Sequence, residues 1–222
     1  KFSNKTEFGS MTSNRLRHVD HPLVQHHLGK LRDESTSPAE FRALSQIIAT
    51  ILASAATEDL ELADTKVRTP VADAPAKVLS QTIALVPILR AGLGLVDPLL
   101  NVIPTAEVWH LGLFRDEATA MPVEYYRKLP PTGPSDVALV LDPMLATGGS
   151  ACMALDVLRQ WGVPKTKLVV LIASPEGIAA VHEEFPETEI ITASVDECLN
   201  DQKYIVPGLG DAGDRLFNTL RS

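Results

Sequence analysis

The sequence predicts an α/β fold in which a mostly parallel central sheet is flanked by helices. Two observations lead to this prediction. Five short apolar runs have the length of buried strands, and helical segments separate them. These runs are residues 82–88, 106–111, 137–141, 168–173 and 189–193. Buried strands that alternate with helices are typical of parallel sheets covered on both faces.

Two amphipathic helices are predicted before the first of these strands. The first covers residues 22–32, where a proline is followed by apolar residues at helical spacing. The second begins at a capping box in residues 37–40, and its apolar face continues to Ala55. The polar stretch at residues 58–80 predicts a loop with at most a short strand near Val67.

Further helices are predicted at residues 92–100, 149–161 and 176–184. Residues 123–128 are expected to form one arm of a hairpin with a neighbouring strand. Residues 1–10 lack apolar periodicity and end directly before Met11, so we expect them to be an expression-tag remnant. No repeat, low-complexity tract or Gly/Ser linker divides the rest, and we therefore expect residues 11–222 to form a single domain.

Composition excludes several classes of protein. The 222 residues are 45% hydrophobic and 22% charged, as in an ordinary globular domain. Twenty basic and 28 acidic residues give a net charge of −8, which provides no field to attract DNA or RNA. No apolar run approaches the ~18 residues that cross a bilayer. Two cysteines are too few for a disulfide framework. We therefore expect a cytoplasmic protein that binds neither nucleic acid nor membrane.

The segment after the third apolar run carries the strongest functional signal. It reads Asp142-Pro143-Met144-Leu145-Ala146-Thr147-Gly148-Gly149-Ser150 and leads into a predicted helix. A Gly-Gly turn with hydroxyl groups at a helix start offers free backbone N–H groups to a phosphate. Asp142 would repel a phosphate but suits sugar hydroxyls or a metal ion. A phosphorylated sugar fits both halves, and a structural Gly-Gly turn capped by Ser150 is the alternative that local sequence leaves open.

Residues 139–150 resemble the phosphoribosyl diphosphate (PRPP) binding motif of the type I phosphoribosyltransferases. The form with Asp142 followed by Pro143, instead of two adjacent acidic residues, is similar to that of the uracil phosphoribosyltransferases. Three further segments resemble the same family in the same order, at residues 86–94, 173–178 and 204–215. The resemblance covers nearly everything from His21 to Phe217. It implies the type I phosphoribosyltransferase fold, with a small hood formed by the N- and C-terminal segments.

The resemblance also implies a reaction, in which uracil and PRPP give UMP and diphosphate, and it assigns residues to it. The 5′-phosphate and ribose of PRPP are assigned to Asp142, Pro143, Met144, Leu145, Ala146, Thr147, Gly148, Gly149 and Ser150. The diphosphate is assigned to Arg90 and Arg115. Uracil is assigned to Ile205, Gly210, Asp211 and Ala212, largely through their backbone groups, with Asp211 also close to PRPP. Asp142, Arg90 and Asp211 are the implied catalytic residues.

Mg²⁺ is the one cofactor that the resemblance implies. We expect it to arrive with PRPP, because the sequence has no clustered carboxylates that would make a protein metal site. A homo-oligomer is expected, while activation by GTP and the general base for the uracil N1 proton are left open. There are three alternatives to this function. A regulatory protein that keeps the fold but binds RNA is disfavoured by the acidic charge balance. A regulatory protein that binds PRPP and UMP without significant turnover, and a phosphoribosyltransferase for another base, stay open.

Overall fold

The structure is a computed structural model that describes residues 15–115, 122–127 and 133–219. Its helices are α1 (Pro22–Arg32), α2 (Pro38–Ala56), α3 (Val96–Val102), α4 (Gly149–Trp161), α5 (Pro175–Glu184) and α6 (Ala212–Phe217), with a 3-10 turn at Ala91–Leu95. Its strands are β1 (Leu16–His18), β2 (Leu62–Arg68), β3 (Asp73–Leu79), β4 (Ile83–Leu89), β5 (Glu107–Val108), β6 (Leu111–Arg115), β7 (Pro122–Arg127), β8 (Val137–Leu141), β9 (Met144–Leu145), β10 (Lys165–Ala173), β11 (Glu189–Val195), β12 (Cys198–Leu199) and β13 (Ile205–Val206).

A nine-stranded sheet runs through the centre of the molecule. Its strand order is β1-β11-β10-β8-β4-β6-β7, with β5 beside β4 and β9 beside β10. Every neighbouring pair is parallel except β6 and β7. The predicted α/β fold with a mostly parallel sheet is therefore confirmed.

Side chains of the central strands alternate between two apolar layers. On β4, Ile83 and Leu85 belong to the layer that contains the buried faces of α1, α2 and α3. Ala84 and Val86 belong to the layer that contains the buried faces of α4 and α5. Because both faces are covered, the strands are apolar throughout, and this explains the continuous apolar runs in the sequence.

The structure confirms the predicted helices, with one difference at residues 92–100. The bounds of α1 and α4 agree with the prediction, and the Ser37–Glu40 capping box of α2 is present. The helix expected at residues 92–100 is instead a 3-10 turn followed by the short α3. Gly92 and Gly94, which are poor helix formers, lie in that turn.

The polar stretch at residues 58–80 contains a hairpin, so the loop prediction is wrong there. β2 and β3 pair antiparallel over seven residues each, and the strand expected near Val67 lies within β2. Both strands are largely exposed and lack the apolar alternation of a half-buried strand. Backbone pairing and cross-strand ion pairs, such as that between Lys77 and Asp64, hold the hairpin together.

Very short strands also depart from the prediction. The single strand expected at residues 106–111 is divided between β5 and β6, which both pair with β4 on either side of Trp109 and His110. β1 has three residues and pairs with β11. Runs of two or three residues are too short to show a period. β7 pairs with β6 as the expected hairpin arm, although Lys128, like residues 1–10, lies outside the described residues. No helix in the described residues is long and apolar enough to span a membrane.

A buried lysine near the amino end of β10 links this strand to the end of α2, to the turn that follows α2 and to β11. Lys167 is 1% exposed, and its Nζ donates to the Ala56 carbonyl (2.9 Å) and to Asp59 (2.5 Å) and lies 2.9 Å from Glu189. Lys165 also binds Asp59 (2.7 Å). Burial favours the neutral form of Asp59, but the hydrogen bonds from the two lysines outweigh it and lower the Asp59 pKa to about 2. This cluster lies at the end of the strand opposite to the site described below.

Replacing Lys167 with methionine should lower the free energy of unfolding at pH 7 by about 2–3 kcal/mol, because the Ala56 carbonyl and two carboxylates lose a shared partner. Because the Asp59 pKa is lowered, its contribution to stability is present above pH 3.8 and is lost as pH falls through about 2. The wild-type protein should therefore lose stability between pH 4 and 2, and the variant should lose less. Urea unfolding at pH 7 and pH 3 measures both, and equal stability at pH 7 would contradict the prediction.

Candidate active site

Strand β8 leads directly into the loop that the sequence assigns to phosphate. Asp142 follows Leu141 at the carboxyl edge of the sheet. The Pro143 carbonyl accepts hydrogen bonds from the N–H groups of Leu171 (3.0 Å) and Ile172 (3.2 Å) on β10. β9 then pairs alongside β10. The first part of the loop is thus fixed to the sheet by its backbone.

The second part of the loop wraps around a cleft of about 160 Å³. The cleft is lined by Asp142, Met144, Leu145, Ala146, Thr147, Gly148, Gly149, Ser150, Ala151, Leu168 and Val170. Within the described part of the chain, no hydrogen-bond acceptor contacts the backbone N–H groups of residues 146–150 or the hydroxyl groups of Thr147 and Ser150. The cleft therefore offers a set of free donors.

Helix α4 begins at this cleft without a side-chain cap. Its N-cap is Gly148, in the left-handed conformation at φ +84°. Ser37, Ser174 and Asp211, in contrast, cap α2, α5 and α6 with side-chain oxygens. The first-turn N–H groups and the positive dipole end of a thirteen-residue helix are therefore free to bind an anion such as phosphate.

Asp142 places a carboxyl group in the same cleft. Its Oδ1 lies 3.5 Å from the Met144 N–H, and it forms no ion pair with a described residue. Asp142 is partly buried and lines the cleft. Burial raises the pKa of Asp142 to about 7, against the lowering effect of the Met144 N–H. A carboxyl group without a protein cation beside it suits hydrogen bonds from sugar hydroxyls.

Ser174 and Gly177, which the sequence analysis did not assign to the site, support the loop through contacts with Leu145 and Ala146. The Ser174 hydroxyl donates to the Ala146 carbonyl (2.6 Å) and accepts the N–H of Gly177 (2.9 Å). A Cβ at position 177 would lie 2.4 Å from the Ala146 oxygen and 2.8 Å from the Leu145 oxygen. Helix α5 can therefore approach the loop only with glycine here. Ser-Pro signals the start of a helix, but nothing in the sequence shows that this start meets the loop.

Arg90 stands at the next strand end. β4 and β8 are neighbours, so Arg90 and Asp142 follow adjacent ends at the same edge of the sheet. The Arg90 side chain is 63% exposed, and its guanidinium lies 3.8 Å from Asp214. A Cβ at Gly92 would lie 2.3 Å from the Leu141 carbonyl oxygen, so glycine lets the turn after Arg90 pack against β8. The guanidinium is accessible to a ligand at this edge.

The loop that the resemblance assigns to uracil has its own backbone geometry. Ile205 begins β13, which pairs with β12. The chain then passes through Gly208 at φ +64° and Gly210 at φ +75°, conformations that favour glycine. Asp211 caps α6 by accepting the N–H of the residue three positions on (2.9 Å), and Ala212, the first residue of α6, is buried. We call residues 205–212 the base loop.

The structure brings the predicted regions to one edge of the sheet without merging them into one cleft. α6 packs against the 3-10 turn that follows Arg90, so the base loop adjoins that residue. The described cleft around Asp142 is lined neither by Arg90 nor by the base loop. Arg115 ends β6, on the other side of β4, and its side chain lies outside the described part of the structure.

Free anion donors and a carboxyl group at the carboxyl edge of a parallel sheet are the arrangement that an α/β protein acting on a sugar phosphate would need. Comparison with known proteins narrows this class. A sequence profile described as "Uracil phosphoribosyltransferase" matches residues 18–219. The chain therefore belongs to the uracil phosphoribosyltransferase family, whose members are pentosyltransferase enzymes.

Individual relatives support this assignment. The uracil phosphoribosyltransferase of Roseiflexus sp. (strain RS-1) is 56% identical over 199 residues, which cover 90% of this chain and 96% of the relative. That of Thermus thermophilus is 52% identical over 206 residues, covering 92% and 99%. Among solved structures, the AQ2163 protein from Aquifex aeolicus superposes with a TM-score of 0.86 and 39% identity, over 91% of this chain and 97% of its own.

Proposed function

We propose that the protein transfers the 5-phosphoribosyl group of PRPP to N1 of uracil, giving UMP and diphosphate in pyrimidine salvage. Family membership over residues 18–219 carries this proposal. The free donors of residues 146–150 beside the Asp142 carboxyl support it, because they match the two halves of a ribose 5-phosphate. The proposal treats residues 11–222 as one phosphoribosyltransferase domain.

The proposal gives each site residue a contact with PRPP or with uracil. Residues 146–150 bind the 5′-phosphate, and Asp142 accepts hydrogen bonds from the ribose hydroxyls. Arg90 and Arg115 neutralise the diphosphate as it leaves, which lowers the barrier because negative charge develops there. Asp211 lies close to PRPP as well as to the base. Asp142, Arg90 and Asp211 are the proposed catalytic residues.

Mg²⁺ bound to PRPP would add positive charge at the leaving diphosphate. Among the described residues, no group of three or more His, Cys, Asp or Glu side chains lies together as a metal site. Asp142 offers a single carboxyl group, which suits an ion held mainly by substrate oxygens and water. This donor set supports delivery of Mg²⁺ with PRPP.

The base loop is proposed to read uracil with backbone groups around Ile205, Gly210, Asp211 and Ala212. Uracil presents one imide donor between two carbonyl acceptors, and a glycine-containing loop can match this pattern without side-chain obstruction. Cytosine reverses the pattern at two positions, and each buried group left unpaired would cost ~1–3 kcal/mol. The loop therefore favours uracil.

The test is to incubate the purified protein with PRPP, Mg²⁺ and, separately, uracil, cytosine, adenine, guanine and hypoxanthine, with and without GTP. The expected result is UMP from uracil alone, with no product when Mg²⁺ is omitted. No nucleotide from any base, while PRPP still binds, would contradict the proposal and favour the regulatory alternative. Stimulation by GTP would establish it as an activator.

Replacing Gly210 with valine should raise the uracil KM about tenfold or more and leave the PRPP KM within about twofold. A branched side chain is strained at φ +75°, whereas a Cβ has room, since its nearest neighbour is Arg215 Cδ at 3.8 Å. The base loop should therefore shift while the fold persists. Gly162→Val is the matched control, because Gly162 has φ +93° and similar space but ends α4, away from the base loop. A larger change in the PRPP KM would mean that the two subsites are exchanged.

We also propose a cytoplasmic homo-oligomer that binds neither nucleic acid nor membrane. The exposed apolar side chains of the β2–β3 hairpin support self-association, with Val71 89%, Val78 50% and Val67 46% exposed. The net charge of −8 supports the absence of nucleic-acid binding. Sedimentation velocity at micromolar concentration should show a species larger than 24.0 kDa, and a monomer would contradict the proposal.

A further inference from the structure

An ion pair outside the proposed substrate contacts holds the base loop to the end of α1. Arg32 is the last residue of α1, and Asp196 directly follows β11. The Arg32 guanidinium donates to both carboxylate oxygens of Asp196, at 2.7 and 2.6 Å. Arg32 also donates to the Gly208 carbonyl (2.7 Å), and Asp196 accepts the Gly208 N–H (2.9 Å). The pair therefore binds both backbone groups of one base-loop residue.

The surroundings of the pair leave little freedom. The Asp196 side chain is 1% exposed and that of Arg32 22% exposed. Ser194 accepts from Arg32 (3.1 Å) and donates to Asp196 (2.8 Å). A Cβ at Gly208 would lie 2.1 Å from the Ile205 carbonyl oxygen, so the loop turns back tightly on itself at the residue that the pair grips. Ile205 and Gly210, on either side, are both proposed uracil contacts.

Arg215 makes a second link between the base loop and the same end of α1. Its guanidinium donates to the Leu209 carbonyl (2.8 Å) and to the Asp33 carbonyl (2.5 Å), and it lies over the Phe41 ring at 4.3 Å. Two consecutive loop residues, Gly208 and Leu209, are thus each held by a guanidinium. Neither guanidinium lines the cleft around Asp142.

We propose that the Arg32–Asp196 ion pair is a positioning device that holds the base loop in the geometry that reads uracil. This inference rests on the proposed function, because it needs the loop to bind the base. Backbone recognition of a pyrimidine depends on the placement of the peptide groups, and displacements near 1 Å are enough to weaken such a site. The pair acts through Gly208 rather than on the substrate, so its loss should affect uracil far more than PRPP.

The test compares Arg32→Met with a matched control, Arg17→Met. Arg17 lies on β1 and donates to a backbone carbonyl, that of Ala55 (3.0 Å), and to a carboxylate, that of Glu58 (2.7 Å). Both variants therefore lose an arginine with the same kinds of partner, but only Arg32 contacts the base loop. UMP formation by the wild-type protein is measured first, and then both KM values and the melting temperature of each variant.

We expect Arg32→Met to raise the uracil KM about tenfold or more with the PRPP KM changed less than about twofold, and Arg17→Met to change neither KM. Arg32→Lys should recover part of the loss, since an ammonium replaces only some contacts of the guanidinium fork. If the Arg32→Met variant is active and its uracil KM is unchanged, or if both KM values rise equally, the inference is overturned while the proposed function stands. If Arg32→Met does not fold, Asp196→Asn is judged by the same criteria. No UMP from the wild-type protein would overturn the proposed function and this inference with it.

Discussion

Replacing Asp142 with asparagine should reduce turnover at least ~100-fold and at the same time stabilise the protein at neutral pH. Turnover falls because asparagine lacks the negative charge of the carboxylate that we propose accepts hydrogen bonds from the ribose hydroxyls. Stability rises because ionising a partly buried carboxyl group costs free energy, and asparagine does not ionise. The stability effect follows from the burial that raises the pKa of Asp142 to about 7, whereas the turnover effect follows from the loss of the charge.

The pH dependence of this gain follows from the direction of the pKa change. In the unfolded chain Asp142 ionises near its ordinary pKa of 3.8, whereas in the folded protein it does so near 7. The protonated group therefore favours the folded state fully below pH 3.8, and this contribution is lost as pH rises through about 7. The rise in pKa corresponds to roughly 4 kcal/mol at about 1.36 kcal/mol per pKa unit, an upper bound because Asp142 keeps some exposed surface.

Thermal unfolding of both proteins from pH 5 to pH 8 measures this effect. The melting temperature of the variant should exceed that of the wild type by a few degrees at pH 8 and by less at pH 5. Asp136→Asn is a control of opposite sign, because hydrogen bonds from the backbone and side chain of Thr82 lower the Asp136 pKa. Equal melting temperatures at pH 8 would contradict the raised pKa of Asp142, and near-normal turnover would refute its role in binding the ribose hydroxyls.

Replacing Gly177 with alanine should weaken PRPP binding strongly, although Gly177 is not among the proposed substrate contacts. The new Cβ would lie 2.4 Å from the Ala146 oxygen, so helix α5 or the phosphate loop must move. Overpacking of this kind costs ~1–3 kcal/mol of stability. Because residues 146–150 begin at the displaced carbonyl, we expect the PRPP KM to rise about tenfold or more, with a smaller change for uracil.

A second glycine provides the control for this substitution. Gly29 lies inside α1 with nothing within 4 Å of a Cβ built there. Gly29→Ala should stabilise the protein by ~0.5–1 kcal/mol and leave both KM values unchanged, because alanine restricts the unfolded chain and favours helix. Isothermal titration calorimetry with PRPP and steady-state kinetics distinguish the variants. Normal PRPP binding by Gly177→Ala would show that the loop tolerates displacement at Ala146.

The parts of the fold that the sequence predicts are those with a local physical signature. α1 and α4 have an apolar face and recognisable ends, and β8 is a continuous apolar run, so their predicted bounds agree with the structure. The β2–β3 hairpin has no such signature, because neither of its faces is buried and its strands are held by pairing with each other. β1 depends on its partner β11 in the same way.

In the candidate site, too, the contiguous part could be predicted from the sequence and the distant supports could not. The sequence alone indicates that the segment from Asp142 to Ser150 suits a sugar phosphate, because the strand, the Gly-Gly turn and the helix start are contiguous. The supports of the site come from distant positions in the chain: Ser174 reaches Ala146, and Arg32 reaches Asp196 and Gly208. Hydrogen bonds across 28 and 164 residues leave no periodic trace in the sequence.

Helix α4 has no side-chain cap from a described residue, so a bound substrate phosphate would serve as its cap. Among the described residues, no side chain caps the first turn of α4, so this end of the helix can fray more easily than a capped one. A bound phosphate would take the position that serine or aspartate takes in α2, α5 and α6. Binding of the phosphate and folding of the first turn of α4 would then be coupled. Amide hydrogen exchange at the start of α4 should then slow when PRPP or UMP binds, and its rate would report site occupancy without any label.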